Sequence, residues 1–325
     1  MNRIDLAAFA QLAPSLRKPW HDGYYAMYSS VLGGVVTEPA LMTLPLDDHM
    51  AHRGDAVFEA MKFVDGGIYN LRPHIERLRR SADAIALALP VSLDDMERII
   101  VETACIGNRR EGYVRLFVSR GPGGFDANPY AVCGSQLYVA ITAMPPSFME
   151  QRPEGARAGV SSIPPKSPMY ARVKSCNYLP NALMKKEAVD RGLDLVVAFD
   201  EQGFMREGST ENVGLVNEDG VLTFPDPDRM LRGTTMLRVM ELAKDTTGAD
   251  APTDAVFRET TRADIERARE MLIVGTTWDV SMVCQFEGKP IGDGRPGPVY
   301  RALRERLLED IRTNTALRTT FGTEP

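Results

Sequence analysis

The sequence predicts an α/β (α+β) chain of two domains, on three observations. At 325 residues it exceeds what one small core needs. Stretches of strand-like character are interspersed with stretches whose apolar residues recur at three and four positions, the period of a helix. A polar, proline-rich stretch from Met144 to Gly155 then separates two halves of different texture. The expected organisation is a small N-terminal α/β domain over 1–143, a linker over 144–155 and a larger C-terminal domain over 156–325.

The elements follow in order. Residues 1–20 read as a short amphipathic arm, Tyr24 to Ser30 as a first strand, and Leu32-Gly33-Gly34 as a turn. Ala51 to Tyr69 reads as two strands joined at an Asp-Gly turn. Pro73 opens a helix expected to reach Leu89, with Ile75, Leu78, Ala82 and Ile85 along one side. A second helix begins at Ser92 as cap and ends at Gly107. Tyr113 to Ser119 and Gln136 to Thr142 are strands around the glycine-rich loop Gly121 to Phe125. Beyond the linker come a helix from Tyr178 to Arg191, a strand from Asp194 to Phe199 and a hairpin from Val213 to Phe224 turning at Asp219-Gly220. A helix follows from Arg232 to Lys244, then a buried strand from Met271 to Val274 and a last helix from Pro298 to Ile311.

Composition excludes several classes of function. Apolar residues make up 44% and charged residues 25%, the balance of a globular chain rather than a disordered one. A net charge of -6 gives no attraction to nucleic acid or anionic membrane. Partners are expected to be small molecules or further copies of the chain. The N-terminal residues lack a basic stretch followed by an apolar one, and no apolar run approaches the roughly 18 residues of a membrane span. A cytoplasmic location is the expectation. Cys105, Cys133, Cys176 and Cys284 lie far apart, and His21, His49, His52 and His74 form no metal-ligand spacing, so no metal is expected.

The chemistry centres on two stretches, Val173 to Leu183 and Arg206 to Val213. A lysine forms a Schiff base with a carbonyl cofactor only when desolvation or a cationic neighbour lowers its pKa. Lys174, between Val173 and the segment Cys176 to Leu179, sits in more apolar company than Lys185 or Lys186. Glu207 is a candidate for the carboxylate that holds a proton on a pyridine nitrogen, as pyridoxal phosphate chemistry requires. Its neighbours Gly208, Ser209 and Thr210 suit close approach to a ligand, although they also suit a solvated turn. For a phosphate dianion, Gly233-Thr234-Thr235 at a helix start offers free N–H groups and hydroxyls. Gly275-Thr276-Thr277 offers a second nest, and Arg77 a charge-assisted pair. Each also has a plain reading, as a cap, a turn or a surface arginine. Gly292 to Gly297 fits a dinucleotide pattern, but too little chain follows it to complete a βαβ unit, so it reads as a loop.

Taken together in this order and spacing, the chain resembles the class IV aminotransferases, the fold-type IV pyridoxal phosphate family. Further carriers of the resemblance are Arg53 to Glu59, His74 to Leu78 and Ile291 to Pro298. The resemblance implies Lys174 as the Schiff-base lysine that also moves the Cα proton. It implies Glu207 on the pyridine nitrogen, Arg77, Thr234, Thr235, Thr276 and Thr277 on the phosphate, and Tyr178 near the phenolic oxygen. It further implies pyridoxal 5'-phosphate in a cleft between the two domains, a homodimer, and ping-pong transfer between an amino acid and a 2-oxo acid. D-amino acid transaminases of the family carry tyrosine where this chain has Phe58, and an Arg-x-His where it has Gly123-Gly124-Phe125. Lys62, in contrast, is shared with them. Phe58 and Tyr178 lean toward the branched-chain enzymes, and an aminodeoxychorismate lyase remains as an alternative.

Overall fold

The computed structural model describes residues 1–322. The expected C-terminal range extends to Pro325, so its last residues lie outside the described part. Within it the chain forms two units, one of 1–144 with the segment from Leu317 onward, the other of Pro145–Ala316.

The first unit is a seven-stranded sheet in the order Arg318–Thr320, Gly67–Tyr69, Ala56–Val64, Gly112–Ser119, Gln136–Thr142, Tyr24–Ser29, Gly34–Val36. Every pair in it is antiparallel. Asp65 and Gly66 both take positive φ, 51° and 70°, which matches the right-handed twist of the flanking strands and closes the hairpin. Register puts Val57, Glu59, Met61 and Phe63 on one face and Phe58, Ala60 and Lys62 on the other. Helix Leu71–Ala84 packs on strand Ala56–Val64 and buries Leu71, Ile75, Leu78 and Ala82, together with the polar His74 and Arg77.

Two elements differ from the sequence expectation. The strand expected from Ala51 begins only at Ala56. His49–Arg53 is a helical turn, capped by Asp48, whose carboxylate accepts from the Met50 N–H at 2.9 Å, and stopped by Gly54 at φ 65°. Asp48 is fully buried and also accepts from the Ser119 and Tyr138 hydroxyls, at 2.8 Å each, partners distant in sequence. The helix from Pro73 stops at Ala84 rather than Leu89. Arg120 donates to the carbonyls of Ile85 and Ala86 at 2.9 and 2.7 Å, which satisfies groups that another helical turn would have taken.

The second unit is an eight-stranded mixed sheet. Its main path runs Asp254–Phe257, Val221–Phe224, Asn212–Val216, Glu270–Gly275, Asp279–Phe286, Ala156–Val160, Leu195–Val197, with Lys289–Pro290 pairing off it. Residues 144–155, expected as an interdomain linker, carry helix Phe148–Gln151, and Met149 is buried. Strand Ala156–Val160 pairs in parallel with both Leu195–Val197 and Asp279–Phe286. The core of this unit gathers Leu195, Val197, Met205, Val213, Leu215, Met271, Ile273, Val283 and Phe286. Helix Pro298–Thr313 starts against Glu270, which accepts from the Val299 and Tyr300 N–H groups at 3.0 and 2.7 Å. A Cβ on Gly297 would lie 2.1 Å from the Glu270 carboxyl carbon, so only glycine lets that carboxylate reach the helix N-terminus. The glycine-rich run before this helix is a loop, in line with the sequence reading. The last strand, Arg318–Thr320, leaves this unit and pairs with Gly67–Tyr69 of the first sheet, although the sequence expectation assigned it to the C-terminal domain. Among the described residues no helix is long and apolar enough to cross a membrane.

Candidate active site

Four segments of the second unit converge through hydrogen bonds and close backbone approach. The first is the loop before helix Leu179–Asp190, where Lys174 is half-buried and Val173 is buried. Asn181 in the first turn of that helix donates to the Ser209 carbonyl, and the Tyr178 hydroxyl lies 3.5 Å from the same oxygen. This ties the lysine segment to the second, Glu207 to Asn212. Here Gly208 donates to the Glu211 carbonyl at 2.9 Å, and a Cβ on Gly208 would come 2.2 Å from Glu211 Oε1. The Gly-Ser-Thr run is therefore a tight loop folded over a buried glutamate, not a solvated turn. Buried Arg206 anchors it from below by pairing with Asp200 and, at 2.6 Å, with Glu259.

The third segment is the start of helix Thr234–Asp245. The Leu231 N–H donates to Glu207 Oε2 at 3.2 Å, and Asn212 Nδ2 donates to the Leu231 carbonyl at 3.0 Å. Gly233, the residue before the helix, has no side chain to cap it; a Cβ there would meet Asn212 Oδ1 at 2.0 Å. Thr234 and Thr235 occupy the first two helical positions and are buried. The fourth segment is the turn Gly275 to Trp278, closed by Trp278 donating to the Gly275 carbonyl at 3.1 Å. The Cβ position of Gly275 lies 3.7 Å from the Thr210 carbonyl, which brings Thr276 and Thr277 beside the Glu207 loop.

Electrostatics single out Glu207. The residue is half-buried, and desolvation pushes its pKa from 4.5 up to about 7. The Leu231 N–H, Lys166 and Lys174 pull it down, and Glu211 pushes it up. Glu211 is itself raised by burial, and its Oε1 has no hydrogen-bond partner. The fit to pyridoxal phosphate rests on this donor set. One carboxyl whose protonation is balanced near neutrality suits a pyridine nitrogen. A helix N-terminus without a side-chain cap and a neighbouring threonine turn suit a phosphate.

A carboxyl raised in this way has a stability consequence. In the unfolded chain Glu207 ionises near 4.5, in the fold near 7, so cofactor-free protein loses stability as pH rises through that interval. Glu207→Gln removes the ionisation, and we expect the cofactor-free variant to exceed wild type by about 3 kcal/mol at pH 8 and to match it near pH 4. Urea midpoints at the two pH values measure this; equal gains at both would show that charge burial is not the cause.

Arg77 belongs to the first unit and is described there. It is buried on helix Leu71–Ala84 and grips Glu59 with two bonds of 2.7 Å, Nε to Oε1 and Nη2 to Oε2. His74 Nδ1 lies 2.7 Å from Glu59 Oε2. Burial pushes Glu59 upward, but Arg77 and then His74 outweigh it and hold the carboxyl far below the usual range. The sequence reading of Arg77 as a surface arginine is thereby excluded. Asn181, Glu211 and Asn212, to which the sequence reading gave no role, shape the site, and Lys166, which it did not name, lies over the Tyr178 ring. The first three lie inside the two stretches the sequence singled out, whereas Lys166 lies outside them, in the proline-rich run before Lys174. Among the described residues no group of His, Cys, Asp and Glu is placed to hold a metal.

The combination of one mixed and one antiparallel sheet, with a lysine, a carboxyl and an uncapped helix start in the second unit, defines a candidate pyridoxal phosphate enzyme of fold type IV. The class IV aminotransferase family matches residues 56–286, and the chain belongs to that family. It is 36% identical over 291 residues to the chloroplastic D-amino-acid transaminase of Arabidopsis thaliana, covering 89% of this chain and 77% of that protein. It is 31% identical over 273 residues to a putative branched-chain-amino-acid aminotransferase of Methanocaldococcus jannaschii, covering 83% and 92%. Among solved structures, the T.th. branched-chain amino acid aminotransferase with pyridoxamine 5'-phosphate superposes with a TM-score of 0.84 at 27% identity, over 91% of this chain and 98% of that one. The chain is thus a pyridoxal phosphate-dependent aminotransferase, and the lyase alternative finds no support among these relatives.

Proposed function

We propose that Lys174 is the catalytic amine and that the reaction moves an amino group from a branched-chain or D-amino acid to a 2-oxo acid by a ping-pong route. The observation that carries this reading is the loop cluster itself, in which Tyr178 and Asn181, just past Lys174, meet the Ser209 carbonyl two residues past Glu207, while the Leu231 N–H before the helix start donates to Glu207. Bound pyridoxal phosphate supplies an electron sink for the charge left when the substrate Cα proton departs. Lys174 Nζ takes that proton and returns it, and Glu207 holds a proton at the ring nitrogen. Thr234 and Thr235 at the helix start and Thr276 and Thr277 in the neighbouring turn would hold the cofactor's phosphate, and Arg77 would add positive charge. Tyr178, whose hydroxyl lies 3.5 Å from the Ser209 carbonyl, would stand near the phenolic oxygen of the ring.

The donor is tested by adding L-leucine, D-alanine or L-alanine to the cofactor-loaded protein with 2-oxoglutarate and recording the absorbance of the bound cofactor together with keto-acid release. Turnover with L-leucine alone assigns the branched-chain side, to which Phe58 and Tyr178 belong. Turnover with D-alanine alone assigns the D side, shared by Lys62 and by the Arabidopsis relative. No turnover with any of them removes both donors. The same reading carries a homodimer, tested by light scattering at twice the 35.9 kDa chain mass, and a cytoplasmic location, tested by fractionation.

A further inference from the structure

A cavity of about 230 Å³ lies in the second unit, and none of its lining residues belongs to the four segments of the candidate active site. Buried Leu215 and Thr223 line it, facing one another across strands Asn212–Val216 and Val221–Phe224. Side chains alternate along a strand, so Leu215 looks to the face opposite Asn212, whose amide donates to the Leu231 carbonyl of the candidate active site. Thr260 also lines the cavity, and its carbonyl accepts from the Met205 N–H at 2.7 Å. The volume lies below the roughly 300–1,000 Å³ of pockets that take drug-sized ligands, so an occupant is small.

The lining is polar and only partly used. Thr223 and Thr260 are 2% and 1% exposed, and the hydroxyl of each is buried with no hydrogen-bond partner among the described residues. Buried polar groups are almost always paired, so two such hydroxyls on one cavity are a concentration of unused donor and acceptor capacity. Charges of both signs stand unused beside them. Arg258 follows strand Asp254–Phe257, and its N–H donates to the Phe224 carbonyl at 2.9 Å, which sets it at one end of strand Val221–Phe224. Glu218 and Asp219 belong to the turn at the other end, where the Asn217 side chain accepts from the Asp219 and Val221 N–H groups at 3.0 and 2.9 Å. All three line the cavity and are exposed, and among the described residues none of them forms an ion pair. The other charges of the lining are already matched, since Arg267 pairs with Asp264 at 3.3 Å and Asp264 accepts from Thr261 at the start of helix Arg262–Arg267.

We propose that this cavity is a second ligand site, for a small amino acid whose carboxylate and ammonium stand several ångströms apart, the carboxylate on Arg258 and the ammonium on Glu218 or Asp219. An arginine takes a carboxylate through two parallel N–H bonds, the acidic turn takes the ammonium, and the threonine hydroxyls serve either polar end. A plain anion or a plain amine leaves one end of the site without its counter-charge. The four residues of strand Val221–Phe224, roughly 13 Å of backbone at about 3.3 Å each, separate the two ends, and the long arginine and glutamate side chains shorten that gap, which favours an ω-amino acid over glycine. Neither Lys174 nor Glu207 is part of this site.

The test follows the threonines. Cofactor-loaded protein labelled with 13C at the threonine methyls is titrated by NMR with 4-aminobutyrate, with butyrate and butylamine as single-charge controls. The Thr223 and Thr260 resonances are assigned as those missing in Thr223→Val and Thr260→Val. We expect 4-aminobutyrate to shift both resonances saturably and each control to bind at least about tenfold more weakly. Arg258→Gln is expected to weaken 4-aminobutyrate by at least about tenfold with transaminase turnover unchanged, and Arg258→Lys to recover part of the loss. The absence of a saturable shift overturns the proposal. So does butyrate binding as tightly as 4-aminobutyrate, which marks a simple anion site, and so does binding that is unaffected in Arg258→Gln. Each valine variant should match or exceed the wild-type thermal midpoint, because a methyl replaces an unpaired buried hydroxyl, yet bind 4-aminobutyrate more weakly. Lower midpoints with unchanged binding would show that the hydroxyls hold only water, and would overturn it as well.

Discussion

Lys174→Ala is expected to lower transaminase turnover by at least about a thousandfold, because one side chain acts both as the amine that anchors the cofactor and as the group that moves the Cα proton. The structure makes the substitution informative, since Lys174 is half-buried and the loop around it is held by others. Asn181 and Tyr178 reach the Ser209 carbonyl, and Tyr170 and Val173 close their own backbone turn at 3.1 Å. Truncation should therefore leave the fold and thermal midpoint near wild type while removing activity. An added primary amine is expected to restore part of the proton-transfer rate in the alanine variant. Wild-type turnover without Lys174 would sink the assignment and move attention to Lys166, the half-buried lysine over the Tyr178 ring.

Arg77→Ala is expected to act on two quantities that can be read separately. It leaves the Glu59 carboxylate, fully buried on strand Ala56–Val64, without its bidentate partner. Breaking such a pair from one side costs about 3–5 kcal/mol, more than the pair contributes against an apolar substitute. It also removes a cation proposed to hold the cofactor phosphate. Glu59→Gln separates the two effects, because it disrupts the pair yet keeps Arg77. Denaturant midpoints should fall in both variants, whereas pyridoxal phosphate retention should fall far more in Arg77→Ala. Equal retention in the two would remove Arg77 from the phosphate site and leave it a structural role. The sign with pH follows from the depressed Glu59 pKa. Its contribution is present above about pH 4.5, where the unfolded carboxyl is ionised, and is lost as pH falls below that. Wild type should thus lose this stability in acid, and Glu59→Gln should flatten the acid limb.

Much of this was legible along the chain because the signals are local. The Asp65-Gly66 hairpin, the Ser92 cap and the Asp219-Gly220 turn need only a few neighbouring residues, and all three formed where the residues call for them. Their physical cause lies within one turn or one strand end. Where the expectation was off, the deciding partner was far away. The helix expected to reach Leu89 stops at Ala84, where Arg120 takes up the exposed carbonyls, and the strand expected from Ala51 gives way to a helical turn capped by a buried Asp48. Strand Ala156–Val160 was hidden for the same reason, since parallel pairing on both sides leaves no alternating pattern to read.

The site divides along the same line. Residue types and spacing were enough to nominate Lys174, Glu207, Arg77 and the threonines, because a Schiff-base amine, a ring-nitrogen acid and a phosphate nest each demand particular groups. Tertiary structure alone decided what surrounds them. It put the half-buried Glu207 under the Leu231 N–H in a loop folded over buried Glu211, and Arg77 into a buried pair instead of solvent. A pKa depends on desolvation and on charges from every side, and those come from segments separated by tens of residues. The sequence by itself determined which groups are available for chemistry; only the fold decided which charges they face.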